Sequence, residues 1–443
     1  MQCPQSQRID HEETMAKTDP IPGSSDIFPR DIRGWRVLEE EARSVFARYG
    51  FGELRTPIFE GTDVYLHSVG TETDIVPKEM YTFEDRGGRS LTLRPEGTAG
   101  VMRALACDGI PQGDERRVFY MGPMFRGERP AAGRKRQFHQ VGVECVGKKA
   151  AAIDVETIAM LVDYLESIGV HDFEVLVNSR GARSDHEPVA KALRGYFADH
   201  TGKMCEDCQR RIDSNVSRIL DCKQEGCRDI ILGSPSMLEL LCSESADYFN
   251  QVTSGLQTLG VPHIVEPRLV RGLDYYAHTV FEIVSDSIGA QSALAGGGRY
   301  EITPPGVKKP IDGVGFALGM ERLLMAREAS GVSNSTPQRV DAYLVSLGGQ
   351  AFMENLKLCH ALRRNEICSV MMDLEQREMK AQMRTANKLN ARLAVIRGED
   401  ELTKGTVIVR DMGSSEQREV SVYDIVAEVT DVSFAAFHAD KAE

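Results

Sequence analysis

The sequence predicts an α+β fold: a large domain on an antiparallel sheet, broken by a mainly helical insertion and followed by a smaller α/β domain. Three textures carry this prediction. Between residues 80 and 146, short β-rich runs are separated by Gly, Pro and charged turns, as in an antiparallel meander. Residues 183–256 are helical and charged and hold five of the ten cysteines; strand texture then resumes at 267, which an insertion explains better than two adjacent domains. Beyond the small-residue stretch SGVSNSTPQR at 330–339, strands and helices alternate singly, the pattern of an independent α/β unit. The expected organisation is a tail at 1–20, a main domain at 21–329 interrupted by the insertion at 183–256, a linker at 330–339 and an α/β domain at 340–443. A chain of 443 residues suits about three such domains.

Each element follows from local pattern. The turn-rich IPGSSDIFPR at 21–30 precedes a helix over 32–49, where Trp35, Leu38, Ala42, Val45 and Phe46 recur mostly at three- and four-residue steps and Gly50 suits the C-terminal cap. Residues 53–59, ELRTPIF, read as extended, with Pro57 marking an edge or interface. Strands are expected at 80–83, 90–93, 118–124 and 138–146, an amphipathic helix at 152–168 and a strand at 173–178. Strand texture returns at 267–284 and 293–300, and a strand at 314–317 runs through Gly319 into a helix. In the last domain the expected order is strand 342–347, helix 352–364, strand 368–373, helix 378–387, and strands 393–397 and 407–410.

Composition bounds the function. Hydrophobic residues at 42% and charged residues at 27% exclude wholesale disorder, and no apolar run of about 18 residues is present to cross a membrane. The opening MQCPQSQRIDHEETMAK has no apolar core for a secretory signal, so a cytoplasmic location is expected. The cysteines then read as thiols or metal ligands, not as a disulfide framework. A net charge of −13, from 66 acids against 53 bases, argues globally against nucleic acid; such a partner would need local basic patches.

Several segments carry chemistry. In GPMFRGERPAAGRKRQFHQVGVE at 122–144, Phe125–Glu128 is expected on one strand, Arg134, Lys135 and Arg136 in a basic loop, and Phe138, Gln140 and Glu144 on one face of the returning strand. An arginine, an acid and a ring on a sheet face suit a phosphate, an exocyclic amine and a base, although a solvated charged hairpin has the same pattern. In LTLRPEGTAG, Glu96 and Thr98 sit at a turn where a carboxylate can meet an ammonium, or where a plain Pro-Glu-Gly turn suffices. LVRGLDYYAHTVFE groups Arg271, Asp274, Tyr275 and Tyr276; in an extended chain the two tyrosines face opposite ways, and Arg271 can bear developing negative charge. AGGGRYE at 295–301 reads as a glycine-rich turn. GVGFALGMERLL places Arg322 in the first turn of a helix, a phosphate-compatible site without the spacing of a P-loop.

Together these stretches resemble the class II aminoacyl-tRNA synthetases, and within them the histidyl-tRNA synthetase family, over nearly the whole chain after about residue 20. The helix with ELRTPIFE resembles motif 1, FRGER…QFHQVGVE motif 2 and GVGFALGMERL motif 3; LVRGLDYYAHTVFE and AGGGRYE resemble the histidine-specific stretches. The segment after Tyr300, EITPPGVKKPID, departs from the family's usual Asp-Gly-Leu continuation. The resemblance implies a homodimer with Pro57 at its interface, with L-histidine, ATP accompanied by Mg²⁺, and tRNA(His) as partners, and no membrane. It implies that Glu96, Gly97, Thr98 and Gln140 surround the amino-acid ammonium, that Glu144 and Tyr276 read the imidazole nitrogens, and that Tyr275 and Tyr300 line the histidine pocket. It places Arg126 and Arg271 on the α-phosphate as the catalytic pair, Glu128 and Phe138 on adenine, and Arg322 on the γ-phosphate. The implied reaction is formation of histidyl-adenylate and pyrophosphate, then transfer of the histidyl group to the terminal ribose.

The resembled anticodon-binding domain would meet tRNA through Lys380, Arg384, Lys388 and Arg392, spaced by four, beside the Arg134–Arg136 loop; a plain solvated helix face remains the alternative. Cys205-x2-Cys208-x13-Cys222-x4-Cys227 offers four thiolates for zinc, at a spacing near but not on the usual ribbon pattern; the resembled family requires no metal there, so zinc and free or structural thiols stay open. Rival readings are a regulatory paralogue partnering a histidine-biosynthesis phosphoribosyltransferase and a non-catalytic tRNA sensor. The C-terminal domain and the retained arginines speak against the first, the complete pocket against the second.

Overall fold

The computed structural model describes residues 19–69, 79–109, 114–273, 275–289, 292–335, 340–364 and 368–432, so Asp274 and most of the N-terminal tail lie outside the described residues. Two compact units divide between Asn334 and Ser335. In the first, helix α1 (Ile32–Arg48) buries Trp35, Leu38, Ala42, Val45 and Phe46. Strand β1 (Gly52–Glu53) and strand β2 (Phe59–Gly61) follow, then helix α2 (Thr62–Val69), β3 (Thr82–Glu84), β4 (Ser90–Leu93), helix α3 (Thr98–Asp108), β5 (Arg116–Phe125), β6 (Gln137–Val146), helix α4 (Ala151–Ser167) and β7 (Glu174–Ser179). Helices α5 (Arg183–Ala198), α6 (Glu206–Ser214), α7 (Glu225–Leu232) and α8 (Ser243–Thr258) come next, then β8 (Ile264–Val265), β9 (Tyr276–Val284), β10 (Ala293–Ile302), β11 (Ile311–Gly319) and helix α9 (Met320–Ala329).

Eight strands form one sheet in the order β1-β5-β6-β11-β10-β9-β7-β8. All its pairs are antiparallel except the edges, where β1 runs parallel to β5 and β8 parallel to β7. One face of this sheet packs on α1, α4 and α8 in a core containing Phe46, Phe119, Leu161, Phe249, Phe281 and Phe316. Within it Asp154 of α4 and Arg299 of β10, both fully buried, form an ion pair, and Asp154 also accepts from the hydroxyls of Thr279 (2.6 Å) and Tyr248 (3.2 Å). One carboxylate thus joins α4, β9, β10 and α8.

Several expectations change here. The meander divides: β2, β4 and β3 form a separate three-stranded sheet, and ELRTPIF is not one strand but crosses from the large sheet at β1 to the small one at β2. AGGGRYE is not a turn; it is the interior of β10, where missing Cβ atoms leave room for large side chains above the strand. Residues 267–273 and Tyr275 are not strand; β9 begins at Tyr276. The helical stretch 183–256 also divides. Residues of α5, α6 and α7 share a core of their own, whereas Phe249, Val252 and Leu256 of α8 join the main core, and Gly255 brings α8 within 2.6 Å of Val155 for any added Cβ.

In the second unit, strands β12 (Ala342–Ser346), β13 (Val370–Met372), β14 (Leu393–Arg397), β15 (Thr406–Asp411) and β16 (Gln417–Ser421) form one sheet in the order β13-β12-β14-β15-β16. The first three are parallel and the last two add antiparallel, β16 being an element the hydrophobic pattern did not announce. Helices α10 (Gly349–Arg363), α11 (Met379–Lys388) and α12 (Glu399–Lys404) pack with it, and a last helical stretch over 425–432 buries Ile425 and Val429 in its core. Arg392 is not on the α11 face, because the helix ends at Lys388 and Asn390 takes a positive φ of 49°; Arg392 lies against Asp341 (3.5 Å). Among the described residues no helix is long and apolar enough to cross a membrane.

Candidate functional site

An open cleft lies over the face of the large sheet formed by β6, β11 and β10, with about 1020 Å³ of empty space including its solvent mouth. Its closed end is built on Glu144 of β6. Glu144 sits opposite Gly315 of β11, and a Cβ at Gly315 would come within 2.1 Å of its carboxylate, so the acid lies flat across the neighbouring strand. Its oxygens accept from Tyr300 Oη (2.6 Å) and Thr98 Oγ1 (2.7 Å). Burial pushes the Glu144 carboxyl up to about 8, with the two hydroxyls only partly offsetting it. Tyr275, Tyr276 and Tyr300 pack as a cluster around this end, centroids 4.7 and 5.6 Å apart, and burial keeps all three phenols neutral. The opposite-face expectation for Tyr275 and Tyr276 fails because Tyr275 precedes the strand, and both line the cleft.

Glu96 and Thr98 also line this end, but the turn between them opens a helix. Gly97 is the N-cap of α3, and the Glu96 carboxylate accepts from the backbone N–H of Thr98 (2.8 Å) and Ala99 (2.7 Å). Burial raises the Glu96 carboxyl, and those amides and Arg126 lower it in part. Gly97 itself contacts the Tyr120 ring: a Cβ there would lie 2.1 Å from it. Gln140 lines the cleft, and its side-chain carbonyl oxygen is buried and without a hydrogen-bond partner.

The open end carries cations and a ring. β5 stops at Phe125, so Arg126 and Glu128 stand in the loop beyond it. Arg126 donates to the Pro95 carbonyl (2.9 Å), and its guanidinium lies over Phe138 at 5.2 Å. Glu128 faces both Arg126 (3.7 Å) and Arg134 (3.4 Å). Arg322, in the first turn of α9, donates to the carbonyls of Gly133 (3.1 Å) and Ala293 (2.7 Å), while burial and then Arg134 lower its pKa. Arg271 reaches over β10 at Gly296, where a Cβ would meet its guanidinium at 1.9 Å, and pairs with Glu282. Burial alone would lower the Arg271 pKa, but Glu282 holds it above its ordinary value. Glu282, directly opposite Gly296 in register, is a residue the sequence analysis missed, although its period-two spacing from Tyr276 offered a signal. Glu321, whose carboxylate accepts from the His139 backbone N–H at 3.0 Å, lines the cleft with no comparable sequence signal.

The remaining predicted residues distribute as follows. Lys135 lines the cleft and donates to Ser25 Oγ (2.7 Å); Arg136 does not line it, and donates to the carbonyls of Glu128 (3.3 Å) and Pro22 (3.4 Å). Lys380, Arg384 and Lys388 are exposed on α11 in the second unit. Cys205, Cys208, Cys222 and Cys227 converge in the insertion, all four sulfurs within 4.8 Å of one another.

A family model described as histidyl-tRNA synthetase matches residues 23–185 and 208–323, and an anticodon-binding-domain model matches 341–431. The histidine–tRNA ligase of Anoxybacillus flavithermus is 45% identical over 416 residues, covering 93% of this chain and 98% of that protein. That of Geobacillus sp. is 44% identical over 409 residues, covering 91% and 96%. Among solved structures, apo Staphylococcus aureus histidyl-tRNA synthetase superposes with a TM-score of 0.77 at 34% identity, covering 93% of this chain and 99% of that one.

Proposed function

The chain belongs to the histidyl-tRNA synthetase family, and from this premise we propose how its cleft performs the ATP-dependent ligation of histidine to tRNA. The reading rests above all on the closed end of the cleft. There an acid and a neutral tyrosine stand together: Glu144 held by Tyr300 and Thr98, with Tyr276 beside it and Gln140 unpartnered. Histidine is set apart from other amino acids by a ring with a nitrogen on each side, and an acceptor with a hydroxyl satisfies both. In this reading Glu144 and Tyr276 take the imidazole, Tyr275 and Tyr300 wall it, and Glu96, Thr98 and Gln140 accept from the ammonium.

ATP, supplied as its magnesium complex, occupies the open end. Phe138 stacks on the adenine, Glu128 accepts from its amine, and Arg322 meets the γ-phosphate. The histidine carboxylate oxygen attacks the α-phosphorus, the bond to the β-phosphate oxygen breaks and pyrophosphate leaves. Arg126 and Arg271 bear the charge that builds on the α-phosphate oxygens, so positioning and electrostatics do the work without a protein nucleophile. The terminal ribose hydroxyl of tRNA(His) then attacks the acyl carbon and releases AMP. The α11 stripe and the loop around Arg134 and Lys135 meet the tRNA. Exposed Ile58, Phe59 and Phe83 at the three-stranded sheet supply an apolar face for a homodimer, in keeping with a cytoplasmic enzyme of this family.

Histidine-dependent ATP–pyrophosphate exchange tests the reading. Exchange is expected to rise with histidine, and to fall by roughly 100-fold or more in Arg271→Ala with the fold retained. Exchange indifferent to histidine overturns the assignment; near-normal exchange in the variant removes Arg271 from the mechanism.

A further inference from the structure

The insertion holds a side-chain cluster that the ligation chemistry does not use. Cys205 caps α6 and Cys208 lies in its first turn; Cys222 ends a 3-10 turn over Val216–Asp221, and Cys227 lies in the first turn of α7. Two helix N-termini thus converge on four sulfurs, and their partial positive charge favours thiolates. The four Sγ atoms lie within 4.8 Å of one another, and Cys205 Sγ is 3.8 Å from Cys222 Sγ. A tetrahedral ion with metal–sulfur bonds of ~2.3 Å needs sulfurs ~3.8 Å apart, close to the separation seen. The backbone N–H of Cys205 donates to Cys227 Sγ (3.2 Å) and that of Gln224 to Cys222 Sγ (3.5 Å), the kind of support that orients ligating thiolates. The four are free thiols, two buried and two half-buried.

What the cluster would hold is also visible. The core of α5, α6 and α7 is small, and cores of that size commonly need a staple. The segment leading to Arg271 is seated on it. Val270 is part of that core, Arg268 donates to the Ile231 carbonyl at the end of α7 (3.0 Å), and Gly272 lies so close to Arg218 that a Cβ would meet its guanidinium at 3.0 Å. Arg218 belongs to the 3-10 turn that ends at the cluster.

We propose that Cys205, Cys208, Cys222 and Cys227 bind one zinc ion in tetrahedral thiolate coordination, and that this ion fixes the seat of the segment carrying Arg271. The second half rests on the cleft assignment of Arg271; the first does not. Full-length protein purified without chelator or histidine tag should carry about one zinc per chain by elemental analysis. Protein grown on cobalt should show thiolate-to-cobalt charge-transfer absorption. Cys227→Ser should lose the metal and become protease-sensitive between α6 and α7, whereas Cys107→Ser and Cys242→Ser, at exposed cysteines, should keep it. Native protein with zinc well below one per chain, or with iron in its place, overturns the site whatever the variants do. Zinc-stripped protein that exchanges pyrophosphate at the native rate overturns the link to Arg271. Absence of histidine-dependent exchange in the zinc-loaded protein would count against the proposed function and leave the metal measurements standing.

Discussion

Glu144→Gln should stabilise the empty protein while impairing its reaction. The carboxyl is buried and its pKa is raised from 4.5 to about 8. The sign follows from proton counting. Between these values the unfolded chain releases a proton that the folded one retains, so stability is greatest below about pH 4.5 and declines until about pH 8. At 1.36 kcal/mol per pH unit, the decline attributable to this one group between pH 6 and pH 8 is on the order of 3 kcal/mol. Glutamine keeps the shape, can still accept from Tyr300 or Thr98, and does not titrate. The melting temperature of the variant minus that of the native protein should therefore grow from pH 6 to pH 8 and level off above it. Taking the difference cancels every other titrating group. Above pH 8, where the Glu144 carboxyl is ionised, histidine loses a charged partner in the variant, a hydrogen bond of about 1.5–3 kcal/mol, so its KM in pyrophosphate exchange there should rise by roughly 10–100-fold. A melting difference flat with pH would show that Glu144 carries no such burden. Unchanged histidine KM would show that it does not read the imidazole.

Two further outcomes follow from other parts of the chain. Asp154→Asn leaves Arg299 charged and fully buried, so denaturant unfolding should reveal a loss of about 3–5 kcal/mol, and a loss below 1 kcal/mol would deny the pair its role in joining α4 to the sheet. Replacing Lys380, Arg384 and Lys388 together by Ala should weaken tRNA(His) binding and flatten its dependence on salt, with pyrophosphate exchange unchanged; an unaltered salt slope removes α11 from the tRNA contact.

How much of this was legible from sequence depends on the physics of each element. Phe138, Gln140 and Glu144 share a face because strand geometry has a period of two, and β6 pairs with β5 and β11 without a register shift that would break it. Arg322 was legible because a strand, a glycine and an apolar run mark a helix start. Helix α3 was not, since PEGTAG is composed of turn formers. Its helicity comes from a side chain outside it, Glu96, capping two amides, and from Val101, Met102 and Leu105 packing into a core assembled from distant strands. The glycines at 296–298 were misread for a related reason. Turn chemistry is the local use of glycine, but here the Cβ is absent because Arg271 and Phe281 occupy its place, a constraint visible only once β9 and β10 are paired.

The charge of −13 first suggested a protein averse to nucleic acid, and the basic loop at 126–136 seemed to answer that objection. The contacts redistribute the answer. Arg126 is committed to the cleft, Arg134 faces Glu128, Arg136 is tied to the carbonyls of Glu128 and Pro22, and Lys135 reaches Ser25. Lys135 and Arg136 brace the loop on the segment around residues 22–25, and Arg126 and Arg134 are engaged by Pro95 and Glu128, so the number of bases overstates the field they offer a phosphate backbone. The three cations of α11 are exposed on one helix face. In an acidic protein, then, long-range attraction for tRNA should come chiefly from α11, whereas Arg134 and Lys135 act at short range, where an incoming strand can exchange with Glu128 and Ser25 for the same cations. Salt should accordingly weaken capture of the tRNA much more than it slows the chemistry in the cleft.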